Sequence, residues 1–170
     1  GQSDLYAYNL QAKTVKQLTN DMYADLAPSW SPDGKWIVFA TDRLSMANKT
    51  IHHNYWHNLA LYNMATGAVQ VLDFFKGADN LNPVFSFDNR TIYFVSDQDG
   101  FRNLYAVDYQ SGKIVQLTNL YTGITGITLQ SPAITSSRQT DQIAYSYYTP
   151  KGDYYIYTVK RSDLKETGIT

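Results

Sequence analysis

The sequence predicts an all-β fold, a partial β-propeller of about three four-stranded antiparallel blades, from its choice of acidic residue, its tyrosines and an internal repeat. Of 15 acidic residues only Glu166 is a glutamate. Aspartate suits turns through local backbone hydrogen bonds, whereas glutamate suits helices. The 15 tyrosines, with frequent Val, Ile and Thr, favour strands because such side chains pack well on a pleated surface. The repeat is visible where Ala27-Pro28-Ser29-Trp30-Ser31-Pro32-Asp33-Gly34-Lys35-Trp36-Ile37-Val38-Phe39 aligns with Asn82-Pro83-Val84-Phe85-Ser86-Phe87-Asp88-Asn89-Arg90-Thr91-Ile92-Tyr93-Phe94. Each copy reads as strand, tight turn, strand.

Taken in order, residues 3–20 supply the last two strands of a blade, from Asp4-Leu5-Tyr6-Ala7-Tyr8 to Gln17-Leu18-Thr19-Asn20. Residues 27–73 form a full blade that adds Asn58-Leu59-Ala60-Leu61-Tyr62, a Thr66-Gly67 turn and a strand ending Val71-Leu72-Asp73. Residues 82–118 form another, with Asn103-Leu104-Tyr105-Ala106-Val107, Ser111-Gly112 and Gln116-Leu117-Thr118 in the same places. Residues 131–160 form a further blade of at least three strands, in which the Pro-Asp-Gly turn is lost. Residues 161–170 are a tail or a last strand. Pro28, Pro83 and Pro132 recur at intervals of 55 and 49 residues, a blade-sized period. Because a closed propeller needs about four to eight blades, the chain is expected to be an arc with open edges, prone to association or marginally stable.

Composition narrows the functions. A net charge of −1 and a pI near 6.3 give no concentrated basic surface for nucleic acid or an anionic membrane. No run approaches the roughly 20 apolar residues of a membrane-spanning helix, so no transmembrane segment is expected in this chain. Cysteine is absent, which excludes disulfides, thiolate metal sites and cysteine nucleophiles. There is no Gly-x-Ser-x-Gly elbow, no His-Glu-x-x-His helix and no phosphate-cradling glycine loop, so no catalytic residue and no cofactor are expected.

The Ser31-to-Phe39 unit, the Asn-Leu-Tyr strand and the closing Gln-Leu-Thr-Asn resemble the WD40-like PD40 repeats of TolB-like propellers, over nearly the whole chain. Such repeats also occur in the propeller domains of tricorn and prolyl-oligopeptidase-like peptidases. The stretch from Leu117 to Thr128, followed by Ser131-Pro132-Ala133, is similar to large bacterial envelope proteins. The resemblance implies a Gram-negative periplasmic or cell-envelope setting and a role in protein contacts.

Candidate binding residues lie in one connection. Phe39 to Leu59 is 20 residues where Phe94 to Leu104 is 10, so the first full repeat carries about ten extra residues within Leu44 to His57. This insertion holds His52, His53, Tyr55, Trp56 and His57, polar and aromatic side chains on a loop borne by a rigid scaffold. The histidines are not expected to hold a metal, since neighbours on extended chain point to opposite sides and the insertion lacks carboxylate and thiolate. Asp97-Gln98-Asp99-Gly100 resembles the start of a calcium loop but lacks its remaining acidic ligands. The connection from Leu120 to Gln130 is expected on the same face. The leading expectation is a non-catalytic protein-interaction module of a larger envelope protein, its partner a protein or other domains of the same chain. Two alternatives stay open: a propeller that binds or cleaves carbohydrate, and the accessory propeller of a prolyl-oligopeptidase-like serine peptidase.

Overall fold

A computed structural model describes residues 3–47, 55–126, 131–167 and 169. The fold is all-β, as the sequence predicts: four antiparallel sheets packed face to face in chain order as an arc. The first sheet pairs β1 (Tyr6–Asn9) with β2 (Thr14–Gln17). The second contains β3 (Asp25–Trp30), β4 (Trp36–Thr41), β5 (Asn58–Asn63) and β6 (Val69–Leu72), with the short helix α1 (Arg43–Ala47) between β4 and β5. The third contains β7 (Asn80–Phe85), β8 (Thr91–Ser96), β9 (Asn103–Asp108) and β10 (Ile114–Gln116). The last contains β11 (Ile134–Ser136), β12 (Gln142–Tyr148) and β13 (Tyr154–Lys160). Arg161–Asp163 then form a 3₁₀ turn, and Thr167 pairs with Gln116 at the end of β10.

The middle strands read as unbroken apolar runs because both of their faces are buried, so period-two alternation divides residues between two cores rather than between core and water. Ile37 and Phe39 of β4 pack towards the first sheet with Leu5, Ala60 and Tyr62, while Val38 packs towards the third with Leu59 and Leu61. In β8, Ile92 and Phe94 join the second sheet, while Tyr93 and Val95 join the last. Phe94, Tyr105, Phe74 and Phe75 form an aromatic cluster between the second and third sheets, with Phe94 and Tyr105 stacked at 5.7 Å.

Repeated hydrogen bonds explain the repeated letters. In the Ser31-Pro32-Asp33-Gly34 turn, the Ser31 Oγ donates to Asp33 at 2.7 Å and accepts from the Trp36 N–H at 3.0 Å. Gly34 occupies the left-handed region at φ 71°. The second copy places Asn89 there at φ 56°, a conformation asparagine tolerates, and its Oδ1 accepts from the Asp33 N–H at 2.8 Å, tying the two turns together. The Gln-Leu-Thr signature is a clip: the Thr19 and Thr118 hydroxyls accept from the Leu5 and Leu104 N–H groups, each at 2.9 Å.

The innermost strands carry a feature hidden from the sequence. Ala27 and Asn82, each before a proline, sit at φ 50° and 49°, where the register of β3 and β7 shifts by a bulge. Ile124 pairs with Tyr147 as Asp25 pairs with Thr41 and Asn80 with Ser96, and its N–H bonds the Arg102 carbonyl as those of Asp25 and Asn80 bond Ser3 and His57. Ile124 therefore already occupies the innermost position of the last sheet, ahead of β11. This corrects the expectation that Leu120 to Gln130 is one surface connection; 127–130 lie outside the described residues.

Candidate loop-face binding site

The β4–β5, β8–β9 and β12–β13 connections and the links between sheets emerge at one end of the arc. Side chains that could do chemistry are concentrated there, and most are fastened to backbone. His57 precedes β5; its Nδ1 and its backbone N–H both donate to Asp79 Oδ1 at 3.0 Å, and its carbonyl accepts from the Asn80 N–H at 2.9 Å and side-chain amide at 3.0 Å. Burial raises the Asp79 pKa, but the His57 hydrogen bonds and charge, with Arg102 nearby, outweigh it and hold the carboxyl below its ordinary value. Asp97 Oδ1 accepts from the Asp79 N–H at 2.8 Å, the counterpart of Asp42 Oδ1 accepting from Ala24.

At the other end of the insertion, the Arg43 guanidinium bonds Asp25 and Asp21 and lies 5.1 Å from the centre of the Tyr23 ring. Burial works against its charge, yet the two carboxylates outweigh it and hold its pKa above the ordinary value. In the Asp97-to-Gly100 turn, Asp99 Oδ2 accepts from Asn103 at 3.1 Å and Gln116 at 2.8 Å, so this carboxylate is committed to its own blade. Burial, then the neighbouring Asp99, push the Tyr105 hydroxyl pKa well up.

Of the residues singled out from sequence, His52 and His53 lie outside the described residues. Trp56 is buried, and His57 is hydrogen-bonded to Asp79. Tyr55 remains 52% exposed. Sequence reasoning missed Phe101 and Tyr121, which meet edge to face at 6.5 Å on adjacent connections, Tyr121 being 84% exposed. The Thr122 hydroxyl reaches onward to the Tyr148 carbonyl, and Tyr148 packs on Tyr154 at 4.9 Å. The signal was aromatic residues at turns, obscured by the many tyrosines in strands. Among the described residues no three His, Cys, Asp or Glu side chains gather as a metal site.

The arc as a whole matches known propellers. A TolB of Agrobacterium tumefaciens superposes with a TM-score of 0.73 at 18% identity, over 98% of this chain and 56% of that one. TolB of Acinetobacter baumannii gives 0.73 at 21% identity, over 96% of this chain and 36% of that one. The fold is a TolB-like β-propeller arc. In sequence, an alignment of 129 positions that covers 68% of this chain is 28% identical to dipeptidyl-peptidase 5 of Porphyromonas gingivalis and covers 16% of that protein. No protein-family profile matches. Among the described residues of the TolB-like arc, no helix is long and apolar enough to cross a membrane.

Proposed function

We propose that the chain is a non-catalytic protein-interaction module of a larger bacterial envelope protein, acting through the loop-bearing face of a TolB-like arc. The observation that carries this reading is the exposed aromatic set Tyr55, Phe101 and Tyr121 on connections whose polar groups are spent on backbone clips. Exposed aromatics on prefixed loops give large contact area at low ordering cost. The partner is a protein or another domain of the same polypeptide, in the periplasm or at the cell envelope. The test is capture from envelope extract by the chain and by a Phe101→Ala, Tyr121→Ala double variant. The reading expects one protein at one-to-one stoichiometry, lost in the variant but kept when Lys35 on the opposite face is changed to Ala. Equal capture by both variants refutes it.

A second reading, the accessory propeller of a serine peptidase, is favoured by the 28% identity to dipeptidyl-peptidase 5. It expects the intact polypeptide to release dipeptides from a chromogenic substrate and to react with a fluorophosphonate at a serine outside these 170 residues. An intact polypeptide with neither property excludes it.

A further inference from the structure

Charge is sorted between the two ends of the arc. At the loop end stand Asp4 before β1, Asp42 after β4, Asp73 after β6, Asp97 and Asp99 after β8, and Asp153 before β13. Among the described residues none of these aspartates forms an ion pair. Backbone N–H groups hold several of them without cancelling their charge: Asp42 accepts from Ala24 at 2.8 Å, Asp97 from Asp79 at 2.8 Å and Asp99 from Phe101 at 3.2 Å. Asp21 and Asp25 share the one guanidinium of Arg43, and the other described cations at this end are Lys76, Arg102 and Lys151. At the opposite end acids stand against bases: Asp33 with Lys35 at 3.4 Å, Asp108 with Arg90 at 2.6 Å and Glu166 with Arg161 at 2.6 Å. The loop end therefore carries an unbalanced negative field.

The aromatic tips lie within that field. Phe101 meets Tyr121 edge to face at 6.5 Å, and Asp99 holds the Phe101 N–H. On the other side the Thr122 hydroxyl donates to the Tyr148 carbonyl, Tyr148 is paired with Tyr154, and Asp153 directly precedes Tyr154. Carboxylates thus border the aromatic pair on the β8–β9 and the β12–β13 connections. Tyr121 is 84% exposed, which leaves its ring faces open. An aromatic face carries the negative part of the ring quadrupole and attracts a cation, while the ring edges and a neighbouring phenyl accept an apolar stem. Rings and carboxylates ask for the same ligand: a positive charge on a chain of methylenes.

We propose that, on the loop-face reading, the partner protein docks through a lysine- or arginine-bearing segment. One cation seats over the Tyr121 ring with its stem along Phe101, and further cations are drawn towards Asp99 and Asp153. The ring contact contributes about two- to fivefold in affinity at an exposed site. The surrounding field acts on the association rate and repels acidic segments, and salt screens it over about 10 Å at 0.1 M and about 3 Å at 1 M.

The test titrates the 170-residue chain into fluorescein-labelled Gly-Lys-Gly-Arg-Gly-Lys-Gly-Arg, and into the same peptide with glutamate at each cation. Anisotropy is read at about 0.05 M and about 0.5 M salt. Saturable binding of the basic peptide alone is expected, weakened by about threefold or more in Tyr121→Ala, in Asp153→Lys and at the higher salt. Asp163→Lys, the same change of charge at the opposite end, leaves binding unchanged. All three positions are exposed, so folding is retained, which far-ultraviolet circular dichroism checks. Absence of saturable binding, equal binding of the glutamate peptide, or equal weakening by Asp163→Lys overturns the proposal. The loop-face reading is separable: an envelope protein captured by the wild type, lost in the Phe101→Ala, Tyr121→Ala variant and not displaced by the basic peptide upholds that reading and overturns the basic segment.

Discussion

The Arg43 cluster allows a quantitative check of how the insertion is held. The Arg43 side chain is 11% exposed and bonds Asp25, whose side chain is fully buried, and Asp21 nearer the surface. Arg43→Met keeps an unbranched apolar side chain but removes the guanidinium that lies over the Tyr23 and Phe39 rings and strips the buried Asp25 carboxylate of its cation, leaving the Thr41 hydroxyl bond at 2.8 Å. Orphaning one member of a buried pair destabilises by about 3–5 kcal/mol, and the rim position of Asp21 argues for the low end, about 3 kcal/mol. For a chain of this length that is a fall in Tm of about 6–12 °C. Asp25→Asn removes the charge that Arg43 answers, so the double variant should be more stable than the sum of the singles by about 1 kcal/mol or more. Urea and thermal melts of the four proteins, followed by far-ultraviolet circular dichroism, measure both quantities. A loss below about 1 kcal/mol in Arg43→Met, or strict additivity in the double variant, refutes the claim that a buried ion pair anchors this end of the insertion.

Other perturbations test the clips. Asn89→Gly keeps the left-handed turn but removes the acceptor for Asp33, and should lose about 0.5–1.5 kcal/mol; Asn89→Ala should lose about 1–2 kcal/mol more, and a reversed order in urea melts contradicts the assignment. Thr118→Val leaves the Leu104 N–H unanswered and should lose about 1–3 kcal/mol, with faster exchange of that amide as the local readout. Gly123→Ala places a Cβ 3.2 Å from the Arg102 backbone at φ 78°, so it should lower Tm and loosen the Tyr121 connection, visible as proteolysis there before global unfolding. Asp79 has a lowered folded-state pKa, so its contribution is full above the unfolded carboxylate value near 3.8 and disappears as pH falls through the lower folded value. The stability difference between the wild type and Asp79→Asn should therefore shrink as pH falls below 4; a difference that grows between pH 4 and pH 2 has the wrong sign.

The fold class was legible because its determinants are local. The Asp33-Gly34 turn and the runs at Trp36 to Thr41 and Thr91 to Ser96 announce a hairpin whose strand is buried on both faces, without knowledge of what covers either. What was not legible depends on sheets meeting. Nothing near His57 announces that Asp79, 22 residues away, takes both its N–H and its Nδ1, and nothing in Leu120 to Gln130 announces that Ile124 already belongs to an innermost strand. Ala27 gave no sign of a positive φ, since alanine before proline disfavours it; the register of β3 against β4 imposes it. Likewise the exposure of Tyr121 and the burial of Trp56 are facts about neighbours, which a single sequence does not carry.

The clips also explain why such a fold persists while its sequence drifts. At the loop end each pair of neighbouring sheets shares a backbone-to-backbone bond: the Asp25, Asn80 and Ile124 N–H groups bond the carbonyls of Ser3, His57 and Arg102. Because those donors and acceptors exist whatever the side chain, an Asp, an Asn and an Ile serve at the same position. The residues between the clips are then released from structural duty, and their side chains can follow a partner. This is why 18% identity suffices to superpose the arc on a TolB, and why the fold by itself says little about the task. The contact residues proposed for the loop face, the aromatic tips at Tyr55, Phe101 and Tyr121, are among the side chains that the clips leave exposed. Aromatic tips discriminate by side-chain truncation, so a partner of the loop face should be lost on Tyr121→Ala, and a partner indifferent to that change contacts the arc elsewhere.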